Sequence, residues 1–279
     1  AIRIKPSNFK NYLLNNLKGG EIKKALINLN TDKNFKVVKY KASGTIKKIN
    51  VKIKNNFIIK DISLNFIADK NLTLLNSINA SYEGVLATNG SIQIKRKNEI
   101  EVKGTFSSQF NLREDQLSKF FTNVKLFKNN KIETQGSLLH DFNLKIDKNF
   151  KIVDYNYKSK GNILQSKIIL KKNFKINYLE KPVKKILFEK IKLEINFNKE
   201  NKNSLLLNGF YSFGNSNYNK FKIKNNLNIK DQNYLIDLDF NENIFFKSIN
   251  FKTNPNNTSN IKVKNNIKNK KFFFKSINF

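Results

Sequence analysis

The sequence has no cysteine, no methionine and no tryptophan, and only one histidine among its 279 residues. Without cysteine there can be no disulfide framework, no thiolate-bound metal, no iron–sulfur cluster and no thiol nucleophile. A single histidine excludes metal sites built mainly from imidazole, so we expect neither a metal nor another cofactor. Proline and glycine, at 3 and 10 residues, are too few for a collagenous or low-complexity chain.

The charge is strongly positive, +32 at pH 7, and comes almost entirely from lysine. Arginine binds phosphates and base edges better than lysine because its planar fork makes two contacts at once. The scarcity of arginine therefore favours a solvated surface, and we expect no nucleic acid as a partner. Lysine, asparagine, isoleucine and phenylalanine, which share A/T-rich codons, make up more than half of the chain, which indicates an AT-rich genome. An acidic membrane surface or another polyanion stays open.

Apolar and polar residues alternate with a period of two from end to end, most clearly over residues 49–54, 62–66 and 191–198. Successive side chains of a strand point to opposite faces, so each of these segments has one apolar and one polar face. Antiparallel sheets with one solvated side show this pattern, whereas buried parallel strands are apolar throughout. The sequence therefore predicts an all-β chain.

Breaks rich in asparagine, glycine and lysine separate these runs and predict turns, at residues 54–56, 88–90 and 199–203. Asparagine and glycine tolerate the left-handed backbone that tight hairpins need. Asn89-Gly90, with apolar residues on both sides, is the strongest single hairpin signal.

Helical pattern is scarce. Ser7 is placed to cap a short helix with Phe9, Tyr12, Leu13 and Leu17 on one face, ended by the glycines at 19 and 20. A second short helix is predicted over residues 114–121, with Leu117, Phe120 and Phe121 facing inward. The predicted organisation is a helical lead-in over residues 1–20 and a continuous β-sheet over residues 21–279, with a possible module break near 111–135.

One segment is repeated within the chain. Residues 32–38 read Asp-Lys-Asn-Phe-Lys-Val-Val, and residues 147–153 read Asp-Lys-Asn-Phe-Lys-Ile-Val. Each copy follows an alternating segment and leads into another that contains a glycine. Repeating hairpin units of this kind predict a sheet that is extended by repetition.

No arrangement of catalytic residues is recognisable, so we expect that the chain is not an enzyme. Residues 209–214 have the glycine spacing of a phosphate-binding loop but lack the Lys-Ser/Thr that must follow. His140 and Asp141 are neighbours and would point to opposite faces of a strand, and His140 is predicted to be a surface or turn residue. Glu99 and Glu101 share a strand face, which is typical of solvated carboxylates.

The order of strands and turns in the first part of the chain is distinctive. A strand starts at residues 19–27 after a short amphipathic segment, and it is followed by residues 43–46, 58–66, 81–85 and 89–94. This order of strand and turn resembles the AsmA-like superfamily of envelope proteins, which includes the YhdP and TamB types. The resemblance covers residues 18–110 best and extends to the rest of the chain by pattern only.

The resemblance implies a long, strongly curved antiparallel β-sheet that forms an open hydrophobic groove. It implies a bridge-like carrier of phospholipids between the inner and outer membranes of a Gram-negative bacterium. Members of the superfamily lie in the periplasm and are attached to the inner membrane by an N-terminal helix. Such an anchor is not part of this sequence, which contains no run of 18 apolar residues.

The apolar residues of the alternating strands are the predicted lipid contacts, since a greasy sheet face must be covered by protein or by a ligand of similar polarity. The predicted contacts are Ile49, Val51, Ile53, Ile62, Leu64, Phe66, Ile92, Ile94, Ile191, Leu193, Ile195 and Phe197.

Two alternatives remain open from the sequence. An outer-membrane β-barrel also alternates with a period of two. A basic β-sandwich that binds nucleic acid or another polyanion would account for the lysines.

Overall fold

The computed structural model describes residues 15–54, 57–120, 130–149, 151–174, 182–200, 202–214, 217–227, 231–241, 245–246, 251–252, 258–268 and 271–278. The chain divides into two compact units. Unit 1 comprises Ala1–Ser108 with Asp141–Val153, and unit 2 comprises Gln109–His140 with Asp154–Phe279. The predicted module break near 111–135 falls within the sequence range of unit 2.

The described residues form seventeen strands, several of them unusually long. The strands are β1 (Leu17–Lys18), β2 (Glu21–Thr31), β3 (Val37–Lys54), β4 (Phe57–Asp69), β5 (Leu72–Tyr82), β6 (Val85–Arg96), β7 (Ile100–Arg113), β8 (Lys131–Ile146), β9 (Ile152–Phe174), β10 (Val183–Asn198), β11 (Ser204–Ser212), β12 (Asn219–Leu227), β13 (Asp231–Phe240), β14 (Phe245–Phe246), β15 (Phe251–Lys252), β16 (Ser259–Lys268) and β17 (Lys271–Asn278).

Nearly all of these strands belong to one sheet, in which neighbours in sequence are neighbours in space. The order is β1-β3-β4-β5-β6-β7-β8-β9-β10-β11-β12-β13-β16-β17, with β2 also paired to β3, while β14 and β15 form a separate pair. The pairs run antiparallel, as between β3 and β4 or β10 and β11. Because the order has two ends, the sheet is open. The predicted fold class, an all-β chain with a long, open antiparallel sheet and a short helix, is confirmed.

The repeated segment forms the same turn twice. In the first copy the Asp32 carboxylate accepts the backbone N–H groups of Asn34 and Lys36, at 2.9 and 2.8 Å. In the second copy the Asp147 carboxylate accepts the equivalent groups of residues 149 and 151, at 2.8 and 2.9 Å. A carboxylate that binds the backbone two and four residues ahead fixes a turn locally, which explains why the same residues recur at both hairpins.

Four consecutive strands of unit 1 each contain a bulge with a positive backbone φ. The bulge residues are Lys48 in β3, Asp61 in β4, Ser77 in β5 and Asn89 in β6, with φ between 53° and 56°. Bulges add one residue to a strand and bend it.

The predicted turn at residues 88–90 is therefore wrong: β6 runs straight through Asn89 and Gly90. The β5–β6 turn lies at Glu83-Gly84 instead, where both residues have positive φ. The left-handed preference of asparagine serves a bulge as well as a turn. The predicted turn at residues 199–203 is confirmed, because β10 ends at Asn198 and β11 begins at Ser204.

One complete helix is present in the described residues, α1 (Glu114–Phe120), as the sequence predicted. Glu114 and Asp115 lie in its first turn, where the helix dipole favours negative charge. Leu117 is buried, but Phe120 is 38% exposed, so its predicted inward position is wrong. Phe121 lies outside the described residues.

The predicted N-terminal helix falls mostly outside the described residues. Asn15 and Asn16 are helical, but Leu17, which was assigned to the apolar helix face, already belongs to strand β1. The chain extends here because Leu17 pairs with Val51 on β3. Gly19 and Gly20 follow with positive φ and turn the chain into β2.

The buried apolar side chains of the described residues lie in unit 2. They are Leu112, Leu117, Ile132, Val183, Ile191, Leu193, Tyr211, Phe221 and Phe240. Among the described residues of unit 1, no apolar side chain is fully buried. A protein usually buries its apolar side chains completely somewhere within each unit, so unit 1 has an unusually open apolar surface.

Candidate functional site

The register between β3 and β4 places apolar side chains of both strands on one face of unit 1. Ile46 lies opposite Leu64, and Ile49 lies opposite Ile62. Directly opposed residues of an antiparallel pair project from the same side. Ile46 and Ile49 are three residues apart and would normally face opposite ways. The bulge at Lys48 adds the residue that brings them to the same face.

The same face continues over β5 and β6. Phe66 lies opposite Leu75, and Leu75 lies opposite Ile92 on the next strand. Beyond the bulge at Ser77, Ile78 lies opposite Gly90. We call this surface the unit 1 apolar face, defined by Ile46, Ile49, Val51, Ile53, Ile59, Ile62, Leu64, Phe66, Leu75, Ile78, Ile92 and Ile94.

All eight predicted lipid contacts of unit 1 belong to this face, so the structure brings together residues from three separate segments. Four further residues of the face were not predicted from the sequence: Ile46, Ile59, Leu75 and Ile78. The signal for them was present in the sequence, because the apolar positions change between even and odd numbers where a bulge lies, as from Ile59 to Ile62 and from Leu75 to Ile78.

The opposite face of the same strands carries more polar side chains, although Ile67 and Leu74 also lie on it. Thr45, Asn65 and Asn76 lie opposite one another in a row across three strands. The Thr45 hydroxyl donates to the Asn65 side-chain oxygen at 2.8 Å. These groups can bond to each other and to water, so this side of unit 1 is suited to solvent.

The unit 1 apolar face is only partly covered by protein. Its side chains are half-buried, and Ile53 is 48% exposed. A contiguous exposed apolar surface on this scale marks an interaction site for protein, membrane or ligand.

Aromatic rings cover the backbone of two glycines, Gly44 and Gly104, that would otherwise leave gaps in the apolar surface. Gly44 lies opposite Phe66, and a Cβ built on Gly44 would lie 2.8 Å from the Phe66 ring. A Cβ on Gly104 would lie 2.5 Å from the Phe142 ring. In each case a ring covers the bare backbone of its neighbour, so the surface stays continuously apolar.

The predicted contacts on β10 lie in unit 2, in different surroundings. Ile191 and Leu193 are buried, Ile195 is half-buried and Phe197 is 36% exposed. Ile191 packs with Tyr211 and Phe221 in a small core cluster. These two buried side chains already have protein neighbours, so they act as core residues of unit 2 rather than as an open surface.

A buried polar pair in unit 2 was not expected from the sequence. His140 is 7% exposed on β8, so its predicted surface or turn position is wrong. Its Nδ1 lies 2.8 Å from the Tyr157 hydroxyl, and the Tyr157 ring stacks on Phe197 with centroids 6.4 Å apart. Burial lowers the pKa of His140 and raises the pKa of Tyr157, which keeps both groups uncharged.

A recess lies over the polar face of unit 2 and measures about 570 Å³. Four lysines line it, at positions 190, 192, 220 and 222, together with Asp237, Asp239 and Asn260. The Asn260 amide donates to both carboxylates at 2.7 Å. The mixture of charges within a wide, open cleft is that of a solvated sheet surface.

No cluster of three or more histidine or acidic side chains with metal-binding geometry is found in the part of the chain that the structure describes. Within that same part, no helix is both long enough and apolar enough to cross a membrane.

No protein-family model matches the chain, and no curated protein or solved structure matches it either. The resemblance to the AsmA-like superfamily therefore stays a prediction that rests on strand and turn order.

Proposed function

We propose that this protein binds phospholipid acyl chains along the unit 1 apolar face and carries them as part of a bridge between two membranes. The observation that carries the proposal is the continuous apolar surface across four strands, none of whose side chains the described protein buries fully. Hydrocarbon gains about 0.8 kcal/mol for each CH₂ that leaves water, so an acyl chain is a suitable cover for such a surface.

The character of the face also fits a carrier better than a specific receptor. The residues that define the face are all aliphatic or aromatic. The nearest polar pair, the Thr73 hydroxyl and the Arg96 guanidinium, lies beside Ile94 at one end of the strands, and its members are bonded to each other at 2.9 Å. An acyl chain can therefore change position along the face without breaking a hydrogen bond. A role in the periplasm, with attachment to the inner membrane through a segment outside this sequence, is part of the proposal.

The exposed lysines suit an environment of anionic headgroups. Each lysine near such a charged surface contributes about 1 kcal/mol of electrostatic attraction. For nucleic acid the lysine-lined cleft of unit 2 would be the natural site, but Asp237 and Asp239 lie inside it. The two carboxylates offset half of the charge of the four lysines, so the cleft is less suited to a phosphate backbone than the lysines alone would make it.

The test is native mass spectrometry of the detergent-free protein after expression in bacteria. We expect phospholipid to remain bound to the original protein. Leu64→Asp should lower lipid occupancy at least about tenfold, because a carboxylate loses water when hydrocarbon covers it.

Ile67→Asp is the matched control. Ile67 lies on the same strand, lies opposite Ser43 and Leu74, and is 44% exposed on the other face. It should keep its lipid. Equal lipid occupancy in the two variants, or no bound lipid in the original protein, would contradict the proposal.

A further inference from the structure

The β2–β3 turn presents a bare aromatic side chain to solvent. Phe35 is 88% exposed, the highest value among the exposed large apolar side chains of the described residues. Its backbone has a φ of 57°. A bulky residue in the left-handed region is strained, and such strain persists only where the surrounding structure enforces it.

Asp32 enforces that conformation. Its carboxylate accepts the N–H groups of Asn34 and Lys36, on either side of Phe35, and its own N–H donates to the Lys36 carbonyl at 2.9 Å. The Phe35 N–H donates to the Asp32 carbonyl at 3.0 Å, so the turn is closed by four hydrogen bonds. These hydrogen bonds fix the conformation in which the turn exposes the Phe35 ring to solvent.

The surroundings of Phe35 combine apolar and positively charged groups. Val37 and Val38, which begin β3, are 48% and 57% exposed. Lys33 and Lys36 are exposed within the turn itself. Lysine ammonium groups beside an exposed ring and aliphatic side chains form the combination that binds the boundary between headgroups and acyl chains.

We propose that the β2–β3 turn docks this protein on an anionic lipid bilayer, with Phe35 inserted among the headgroups and Lys33 and Lys36 paired with lipid phosphates. Nucleic acid shares the phosphates, but it offers no apolar layer for Val37 and Val38. Docking requires no acyl chain on the unit 1 apolar face, so it goes beyond the carrier function and the two proposals can fail separately.

The second copy of the turn supports the same role. The Asp147 carboxylate accepts the same two hydrogen bonds, Lys148 is exposed, and Ile152 at the start of β9 is 60% exposed. Phe150 occupies the position of Phe35 in the sequence and lies outside the described residues.

The absence of tryptophan makes a direct test possible. Phe35→Trp gives a full-length protein with one tryptophan, at the tip of the turn. With vesicles of phosphatidylcholine and phosphatidylglycerol in a three-to-one ratio, we expect its emission to move to shorter wavelength and its quenching by acrylamide to fall. Leu86→Trp is the control, because Leu86 is 53% exposed on β6 and away from the turn. Its emission should not change.

Vesicle sedimentation measures how strongly each variant binds to the membrane. Phe35→Ser should weaken binding about tenfold, and Lys33→Gln with Lys36→Gln should weaken it about fivefold for each lysine. Lys52→Gln with Lys60→Gln removes the same charge at the opposite end of β3 and β4, where both side chains are exposed, and should have a much smaller effect. Leu64→Asp should bind vesicles as the original protein does, which separates docking from acyl-chain binding.

Asp32→Asn and Asp32→Ala test the turn geometry at equal charge, because only asparagine keeps the side-chain acceptor. The alanine variant should bind more weakly than the asparagine variant. Docking is ruled out if the tryptophan at position 35 stays solvent-exposed with vesicles, or if Phe35→Ser binds as well as the original protein. Preferential binding to duplex DNA that is lost with the two lysines would also overturn it.

Discussion

Two glycines in the strands of unit 1 leave room for aromatic rings, but they differ in what surrounds them. A Cβ on Gly44 would clash with the backbone carbonyl of Lys24 as well as with the Phe66 ring. A Cβ on Gly104 would meet side chains only, the Phe142 ring and Ile92. A side chain can move aside more cheaply than the backbone of a paired strand.

We therefore expect Gly44→Ala to lower the free energy of unfolding by about 2–3 kcal/mol and Gly104→Ala by about 1 kcal/mol, as urea unfolding would measure. Adding Phe142→Leu to Gly104→Ala should recover part of the loss, since the smaller side chain frees the space. Equal losses at both glycines, or no coupling between positions 104 and 142, would show that the rings do not cover the glycines as described.

His140 gives the stability of unit 2 a defined pH dependence. Burial lowers its pKa below the ordinary 6.5. As the pH falls through 6.5, His140 therefore takes up a proton in the unfolded chain but stays neutral in the folded chain. Because the unfolded state then binds more protons, the free energy of unfolding falls as the pH drops below 6.5, by at most about 1.4 kcal/mol per pH unit.

Urea unfolding at about pH 7.5 and about pH 5.5 checks this, since histidine is the only side chain that ordinarily titrates between these values. His140→Phe should remove the difference. A protein whose stability is the same at both values, or a variant that keeps the full pH dependence, would contradict the buried position of His140.

At the scale of the strands, the bulges explain both what the sequence revealed and what it concealed. Alternation predicted the strands, because its period depends only on the backbone. In β3 the apolar positions change from 42 and 46 to 49 and 51, and this change of phase locates the bulge. The turn predicted at Asn89-Gly90 was wrong because a local preference for a left-handed backbone does not distinguish a turn from a bulge.

The bulge in β3 can be tested with two adjacent lysines. Lys48 has a φ of 56°, whereas Lys47 lies in the ladder opposite Glu21. Lys48→Gly should raise the free energy of unfolding by about 0.5–1 kcal/mol, because glycine adopts a positive φ without strain. Lys47→Gly should lower it by about 0.5–1 kcal/mol, because glycine weakens a regular strand.

Thermal or urea unfolding of the two variants measures both changes. The opposite signs are the informative result, since both substitutions remove the same exposed side chain and the same charge. A loss of stability in both variants would mean that Lys48 is not held in a left-handed bulge.

At the scale of the whole molecule, fold class followed from the sequence, and burial did not. Alternation shows that Ile49 and Ile191 each lie on an apolar face. It does not show that Ile191 is 6% exposed in a core cluster while the face that includes Ile49 is only half-covered. That difference depends on which distant strands supply neighbours, such as Tyr211 and Phe221, and this is a property of tertiary structure.

For the same reason, the candidate site could be predicted only in part from the sequence. The eight predicted contacts of unit 1 share a face because each is apolar in an alternating strand. The two buried contacts of unit 2 satisfy the same pattern for a different reason, the formation of a core. Only the three-dimensional pairing separates the two cases, and it directs the proposed lipid contact to unit 1.

The most direct measurement is photo-crosslinking of the detergent-free protein with a phospholipid that carries a diazirine in one acyl chain, followed by mapping of the modified residues by mass spectrometry. We expect the acyl chain to be attached to residues of the unit 1 apolar face, such as Leu64, Phe66 and Ile92, and an excess of unlabelled phospholipid to prevent it. Attachment mainly to the polar face, at residues such as Asn65 and Asn76, or no attachment that unlabelled lipid prevents, would contradict acyl-chain binding on that face.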